Sequence, residues 1–109
     1  MTLSELYNVL TAAGFPVAYS HFTASPKNPL PKPPYITYYV SGSANFNADN
    51  AVYKKIDDVQ IDLYTKSKDL AAETKLEEVL TDNEIPFESY ESYIESEKLY
   101  QKTYEVRLI

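Results

Sequence analysis

The segment from Asp57 to Asn83 constrains the fold of this 109-residue chain most, because the spacing of its apolar residues changes within it. From Val59 to Tyr64, apolar side chains alternate with more polar ones, which predicts a strand with one buried and one wet face. After Thr65 the spacing becomes that of one helical stripe, formed by Ala72, Leu76, Val79 and Leu80. The segment therefore predicts a strand followed by a helix that packs on the sheet.

The ends of this second helix are marked by capping and breaking residues. Ser67 or Asp69 is expected to cap its first turn by accepting hydrogen bonds from free backbone N–H groups, and Pro86 prevents continuation. Leu70 projects away from the apolar stripe, so it is either a harmless exposed leucine or a contact point.

The first helix is predicted at the N-terminus of the chain. Thr2 and Glu5 have the spacing of a capping box, and Gly14 is placed to end the helix in a left-handed conformation. A short extended segment, Val17 to Phe22, follows. Residues 23–34 then contain five prolines, which exclude both a helix and a central strand. This Pro-rich loop is predicted to be an extended arm, either a solvated connector or a contact surface.

The remaining segments predict strands. Tyr35 to Val40 is rich in strand formers and is expected to end at the turn Ser41-Gly42-Ser43, and residues 45–50 have turn chemistry. A strand is expected to begin near Val52 and to run, with a break at Asp57-Asp58, into Val59 to Thr65. Two more are predicted at Phe87 to Glu95 and Leu99 to Ile109. Residues 1–109 thus predict a single α+β domain, with a mainly antiparallel sheet of about four to five strands and two helices packed on one face.

Composition restricts the function classes. The net charge is −6 and the longest basic run is Lys54-Lys55, which disfavours sequence-specific nucleic-acid binding. No apolar run approaches the ~20 residues of a membrane span, and no secretory signal is recognised, so we expect no membrane association and a cytoplasmic protein. Eleven tyrosines favour extra contact surface and hence self-association.

A search for reactive groups yields no catalytic set. His21 is the only histidine and there is no cysteine, so the chain lacks most of the residues that nucleophilic triads and zinc sites need. Asn45, Asn47 and Asp49 have the spacing of a calcium loop but lack its glycine and glutamate, so a turn is expected. We therefore expect no enzyme, no cofactor and no metal, with a small carboxylate-dependent enzyme as a remote alternative.

Several segments together resemble a known family. They are residues 15–22 (FPVAYSHF), 34–39 (PYITYY), 46–50 (FNADN), 52–56 (VYKKI), 61–66 (IDLYTK) and 94–100 (IESEKLY). The chain resembles the small tail-completion or tail-terminator (head–tail joining) proteins of long-tailed phages and prophages of Gram-positive bacteria, nearly end to end.

The resemblance implies a virion structural protein that acts as a ring, typically hexameric, at the head–tail interface. Such a ring caps the tail tube, contacts the tail-tube protein and the head-closure or connector protein, and assembles in the host cytoplasm. A head-closure or connector component of the same interface is the alternative. The candidate interface residues are Pro26, Pro29, Pro31, Tyr35, Phe46, Asn47, Asp49, Leu70 and Tyr100.

Overall fold

A computed structural model describes residues 1–27, 29–43, 46–48, 51–54 and 56–108, and over these residues the chain forms two helices and seven strands. In chain order they are α1 Leu3–Thr11, β1 Val17–Tyr19, β2 Tyr35–Ser43, β3 Phe46–Ala48, β4 Ala51–Lys54, β5 Asp57–Thr65, α2 Leu70–Asp82, β6 Phe87–Ile94 and β7 Leu99–Leu108.

Within that part of the chain, five strands form the main sheet in the order β1-β2-β5-β7-β6, and β3 pairs with β4 as a separate hairpin. β1 is parallel to β2, and every other neighbouring pair of the main sheet is antiparallel. The apolar sides of α1 and α2 share one hydrophobic core with the sheet. The predicted α+β class, with its mainly antiparallel sheet and two helices on one face, is confirmed.

The Pro-rich loop has a structural role that follows from the parallel pairing of β1 and β2. A two-residue hairpin cannot join parallel strands, which need a connection of a dozen residues or more. The loop between Tyr19 and Tyr35 is that crossover, and its return is fixed by the pairing of Val17 with Ile36 and of Tyr19 with Tyr38.

The first helix begins and ends as its sequence predicts. The Thr2 side chain accepts a hydrogen bond from the backbone N–H of Glu5, and the Glu5 carboxylate accepts one from the backbone N–H of Thr2, both at 3.1 Å. Leu6 and Leu10 are buried beneath α1. Gly14, with φ of +91°, turns the chain towards β1 in the left-handed region that glycine tolerates.

The second helix is capped by Asp69, one of the two predicted residues, whose carboxylate accepts a hydrogen bond from the backbone N–H of Ala72 at 3.0 Å. Ala72, Leu76 and Leu80 are buried, and Val79 packs against the core from a half-buried position. Leu70 lies on the outside and is 67% exposed, as its position opposite the stripe predicts.

The region around the turn at residue 42 differs from the prediction. β2 does not end at Val40 but continues through Ser43, and its register shifts between Val40 and Gly42 in the manner of a β-bulge. The strand predicted near Val52 is β4, which pairs with β3 in the separate hairpin, and Asp57 and Asp58, where the sequence predicts a break, are instead the first residues of β5. Pairing between segments that the sequence marked as turns accounts for both differences. The predicted last strand is described as far as Leu108.

Candidate functional site

The face of the main sheet opposite the helices, here called the open face, carries a buried carboxylate. Asp62 lies at the middle of β5 and is only 2% exposed, although the alternation of β5 predicted a wet face there. It accepts hydrogen bonds from Thr103 Oγ1 at 2.8 Å and from Gln60 Nε2 at 3.1 and 3.2 Å. The expectation of a wet face is wrong at this position, because polar neighbours on the same face cover and satisfy the carboxylate.

Tyrosines surround this carboxylate on the open face. Burial raises the pKa of Tyr39, and the negative charge of Asp62 raises it further. Burial and the Asp62 charge also raise the pKa of Tyr64, while a hydrogen bond with Thr37 opposes this shift. The Tyr35 and Tyr64 rings lie 5.1 Å apart between centroids. The centre of the open face is therefore a packed polar and aromatic layer.

A cleft of about 350 Å³, here called the loop cleft, lies between this layer and the Pro-rich loop. The Phe22 ring meets the Tyr35 ring edge to face, with centroids 5.4 Å apart. The lining residues come from the chain after β1, the Pro-rich loop, β2, β5, the end of β6 and the β6–β7 turn: Ser20, His21, Phe22, Leu30, Pro31, Tyr35, Thr37, Tyr64, Ile94 and Glu97. The loop thus covers one end of the open face.

One outer edge of the main sheet is β6, whose outward backbone groups have no neighbouring strand within the described residues. Tyr90 and Tyr93 on this strand are 54% and 50% exposed, and they project from opposite faces. Glu88 and Glu91 lie on the same strand, and both side chains are exposed. This edge, here called the acidic edge, joins carboxylates to accessible aromatic rings.

The other outer edge is β1, which also presents tyrosine. Tyr19 is 49% exposed, its hydroxyl accepts a hydrogen bond from the backbone N–H of Val40 at 3.2 Å, and its ring stands edge-on to Tyr38. Tyr7 of α1 packs on the other side of Tyr38 and is 42% exposed. Among the described residues, the exposed tyrosines that belong to strands therefore divide between the two outer edges of the sheet, with Tyr19 on β1 and Tyr90 and Tyr93 on β6.

Charge divides in the same direction. Residues 6–48, which include β1, β2 and the Pro-rich loop, contain no acidic residue, and they include the exposed Lys27 and Lys32. Most of the sixteen acidic residues of the chain lie from Asp57 onward, where β6 and its turns belong. Neither β1 nor β2 carries a carboxylate and the loop that joins them carries Lys27 and Lys32, so the β1 side is here called the basic edge; the β6 side, with Glu88 and Glu91, is anionic.

Asp58, Glu77 and Glu91 are each paired with a different side chain, at separate places in the fold. Asp58 pairs with Arg107 at 2.7 Å beside a groove of about 730 Å³ at the far end of the sheet, and this contact holds the pKa of Asp58 below its usual range. Glu77 Oε2 accepts a hydrogen bond from the Tyr104 hydroxyl at 2.8 Å. Lys68 binds both Glu73 and Glu91.

In the part of the chain that the structure describes, no three His, Cys, Asp or Glu side chains are grouped so that they could hold a metal ion. Among the same residues, neither helix is both long and apolar enough to span a bilayer.

The structure brings only part of the predicted interface set together. Pro31 and Tyr35 line the loop cleft, whereas Pro26 and Pro29 lie exposed elsewhere in the loop. Tyr100 packs against Tyr93, with ring centroids 4.9 Å apart, on the helix side of the acidic edge. Leu70 stands at the start of α2, and the backbones of Phe46 and Asn47 belong to β3. The prediction for Asp49 and the calcium-like spacing fall outside the described residues.

Sequence reasoning missed the acidic edge residues Tyr90 and Tyr93, and on the basic edge it missed Tyr19. Their tyrosine content was visible, but only the strand order shows that they lie on opposite edges. Comparison with models of known protein families gives no match, and no curated protein matches the sequence.

Proposed function

We propose that this protein is a virion structural subunit of a tail-terminator or tail-completion ring, in which copies associate through their unlike edges. The observation that carries the proposal is the opposite chemical character of the two edges of the main sheet. The acidic edge offers Glu88 and Tyr90, and the basic edge offers Tyr19, with the exposed Lys32 in the loop that follows β1. The segment-by-segment resemblance to tail-completion proteins supports the same assignment.

The charges select one mode of association over another. Two acidic edges repel each other when they meet, since like charges on facing strands are destabilising. An acidic edge against a basic edge is attractive, and the exposed tyrosines at both supply apolar area and hydrogen-bonding groups. Contacts between unlike surfaces are head-to-tail, so they generate rings when the rotation closes. A closed ring is what a tail terminator requires.

The proposal assigns no catalysis, no cofactor and no metal to the chain. Its partners are further copies of itself, the tail-tube protein and the head-closure or connector protein, and its location is the head–tail interface of the virion. The separate pairing of Asp58, Glu77 and Glu91 with other side chains supports a non-catalytic role. The strong negative charge disfavours adhesion to DNA that passes through the ring.

Light scattering after gel filtration tests the assembly. We expect a mass near six times the 12.4 kDa of one chain, falling as salt rises. Glu88→Lys and Lys32→Glu are each expected to dissociate the assembly. Their equimolar mixture is expected to restore it, because every contact in an alternating ring then joins opposite charges. Glu78→Lys, on an exposed position of α2, is the matched control and leaves the mass unchanged.

Incubation with purified tail tubes tests the role of the ring. Electron microscopy is expected to show rings at one end of the tubes. Binding to the connector in the absence of any binding to tubes would replace the proposal by a head-closure role. A strict monomer that binds neither component would overturn it.

A further inference from the structure

The loop cleft has the composition of a receptor for a cationic side chain. Three aromatic rings line it, from Phe22, Tyr35 and Tyr64, and their ring geometry is set by mutual packing. The buried Thr37 follows Tyr35 on the same face of β2, and it shares a hydrogen bond with Tyr64. The faces of such rings carry negative potential, which attracts cations within about 6 Å.

The charged residues around the loop cleft also favour a cationic ligand. Glu97, an exposed residue of the β6–β7 turn, lines the opening, and its charge contributes to the raised pKa of Tyr35 after the larger effect of burial. Asp62 lies on the same face of the sheet, at the β5 position that pairs with Thr37. Among the described residues that line the cleft, none is lysine or arginine. An anionic ligand is therefore disfavoured, and a cationic one is favoured.

The volume of the loop cleft and the position of the chain's own arginine restrict what the ligand can be. A volume of about 350 Å³ is at the lower end for small-molecule sites and fits one long side chain with its backbone. A guanidinium stacks on aromatic rings and is weakly hydrated, so arginine suits these walls better than lysine. The single arginine of this chain, Arg107, is bound to Asp58 at the far end of the sheet. The arginine must then come from a different protein.

We propose that the loop cleft binds an arginine side chain on an extended basic segment of a partner protein, with the guanidinium against Tyr35 and Tyr64 and paired with Glu97. The cleft accepts such a side chain in a single protomer, so the proposal does not depend on ring formation. It gives the Pro-rich loop a second role, since Leu30 and Pro31 close one side of the binding site.

The test uses NMR titration of the intact protein with the peptide acetyl-Gly-Arg-Gly-amide. We expect saturable shifts of the Tyr35, Thr37 and Tyr64 resonances. The same peptide with citrulline, which has the shape of arginine without its charge, is expected to cause none. A lysine peptide is expected to bind more weakly.

Separate variants test the contributions of the Glu97 charge and of the aromatic rings to binding. Glu97→Gln is expected to weaken binding about 2- to 5-fold, the range of an exposed ion pair, and Tyr35→Leu by a similar factor through the lost cation–π contact. Lys98→Gln removes a neighbouring positive charge and is expected to strengthen binding. Glu78→Gln, on α2, is the control and leaves it unchanged.

Three results would overturn the proposal: equal binding of the citrulline peptide, shifts centred away from the cleft, or unchanged affinity of Glu97→Gln. Because Glu97 is exposed in a turn, that last variant keeps the fold even if Tyr35→Leu does not. Loss of ring assembly with retained arginine binding would refute only the ring, and the reverse result would refute only the cleft.

Discussion

The hydroxyl of Tyr104 gives a prediction in which both the magnitude and the pH dependence follow from the structure. Tyr104 is fully buried at the centre of the core, with its ring 5.2 Å from that of Phe87. Its hydroxyl donates to Glu77 Oε2 at 2.8 Å. Tyr104→Phe removes this bond and preserves the ring. A hydrogen bond to a charged group contributes about 1.5 to 3 kcal/mol, and the partly exposed Glu77 recovers some solvation, so we expect a loss of about 1.5 kcal/mol at pH 8.

The difference in stability between the wild-type protein and Tyr104→Phe is expected to shrink at alkaline pH. Burial and, after it, the hydrogen bond to Glu77 raise the pKa of Tyr104 in the folded protein far above its ordinary value. A raised folded pKa gives stability that is fully present below the unfolded pKa, near 10 for tyrosine, and that falls as pH rises above it. Above that pH, the free energy of unfolding of the wild-type protein falls by about 1.4 kcal/mol per pH unit through Tyr104, and this fall is absent in Tyr104→Phe. The two stabilities are expected to meet at about pH 11.

Urea unfolding from pH 8 to pH 11 measures this difference directly. The other tyrosines with raised pKa values, and Lys68, lower the stability of both proteins equally at high pH and so cancel in the comparison. Tyr93→Phe, which alters a half-exposed ring on β6, is the matched control and is expected to change stability by less than about 0.5 kcal/mol. A constant difference between wild type and Tyr104→Phe across the range would refute the buried, hydrogen-bonded hydroxyl.

Three further changes have expected outcomes. Leu80→Ala empties part of the core beneath α2 and is expected to cost about 2 to 5 kcal/mol in urea unfolding, whereas Leu70→Ala, at a 67% exposed site, is expected to cost little. Asp62→Ala removes the acceptor of two part-buried donors on the open face, Thr103 and Gln60, and we expect a loss of about 1 to 3 kcal/mol in the free energy of unfolding by the same assay. The hydrogen bond from Lys68 lowers the pKa of Glu91 in the folded protein. The stability that this bond contributes is therefore present above the pKa that Glu91 has in the unfolded chain, and it is lost as pH falls below that value. The stability advantage of wild type over Lys68→Met is therefore expected to shrink between pH 6 and pH 3, and an advantage independent of pH would contradict it.

The sequence predicted those elements whose signals are local. The reciprocal hydrogen bonds of Thr2 and Glu5 use neighbouring residues, and the apolar stripe of α2 lies within three turns, so spacing alone located both helices. In the sequence of β7, Tyr104 and Val106 alternate with Glu105 and Arg107, and this period of two predicts the buried face on which the structure has Tyr104 and Val106.

The errors arose where distant segments decide the structure. Ser43 belongs to a strand because its partner Asp57 extends the ladder, and residues 46–48 become a strand by pairing with β4. Asp62 is buried because β2 and β7 bring Thr37 and Thr103 beside it. None of these neighbours is visible in a local window of sequence.

The candidate surfaces also combine features that local sequence predicts with features that depend on distant segments. The Pro-rich loop was recognisable from its prolines, and Pro31 and Tyr35 do line the loop cleft. The contribution of Glu97 to that cleft depends on how the β6–β7 turn meets the start of β2, a contact between segments about sixty residues apart. The opposition of the basic and acidic edges required the strand order, which no spacing in the sequence reveals.

The most direct test of head-to-tail association uses cysteine cross-linking, for which the chain offers a background without cysteine. Tyr19→Cys marks the basic edge and Tyr93→Cys marks the acidic edge. With a short bis-maleimide, we expect each single variant to remain uncross-linked and the double variant to form a ladder of oligomers that ends at the closed ring. Dimers of either single variant, or a double variant that stays monomeric, would contradict the account.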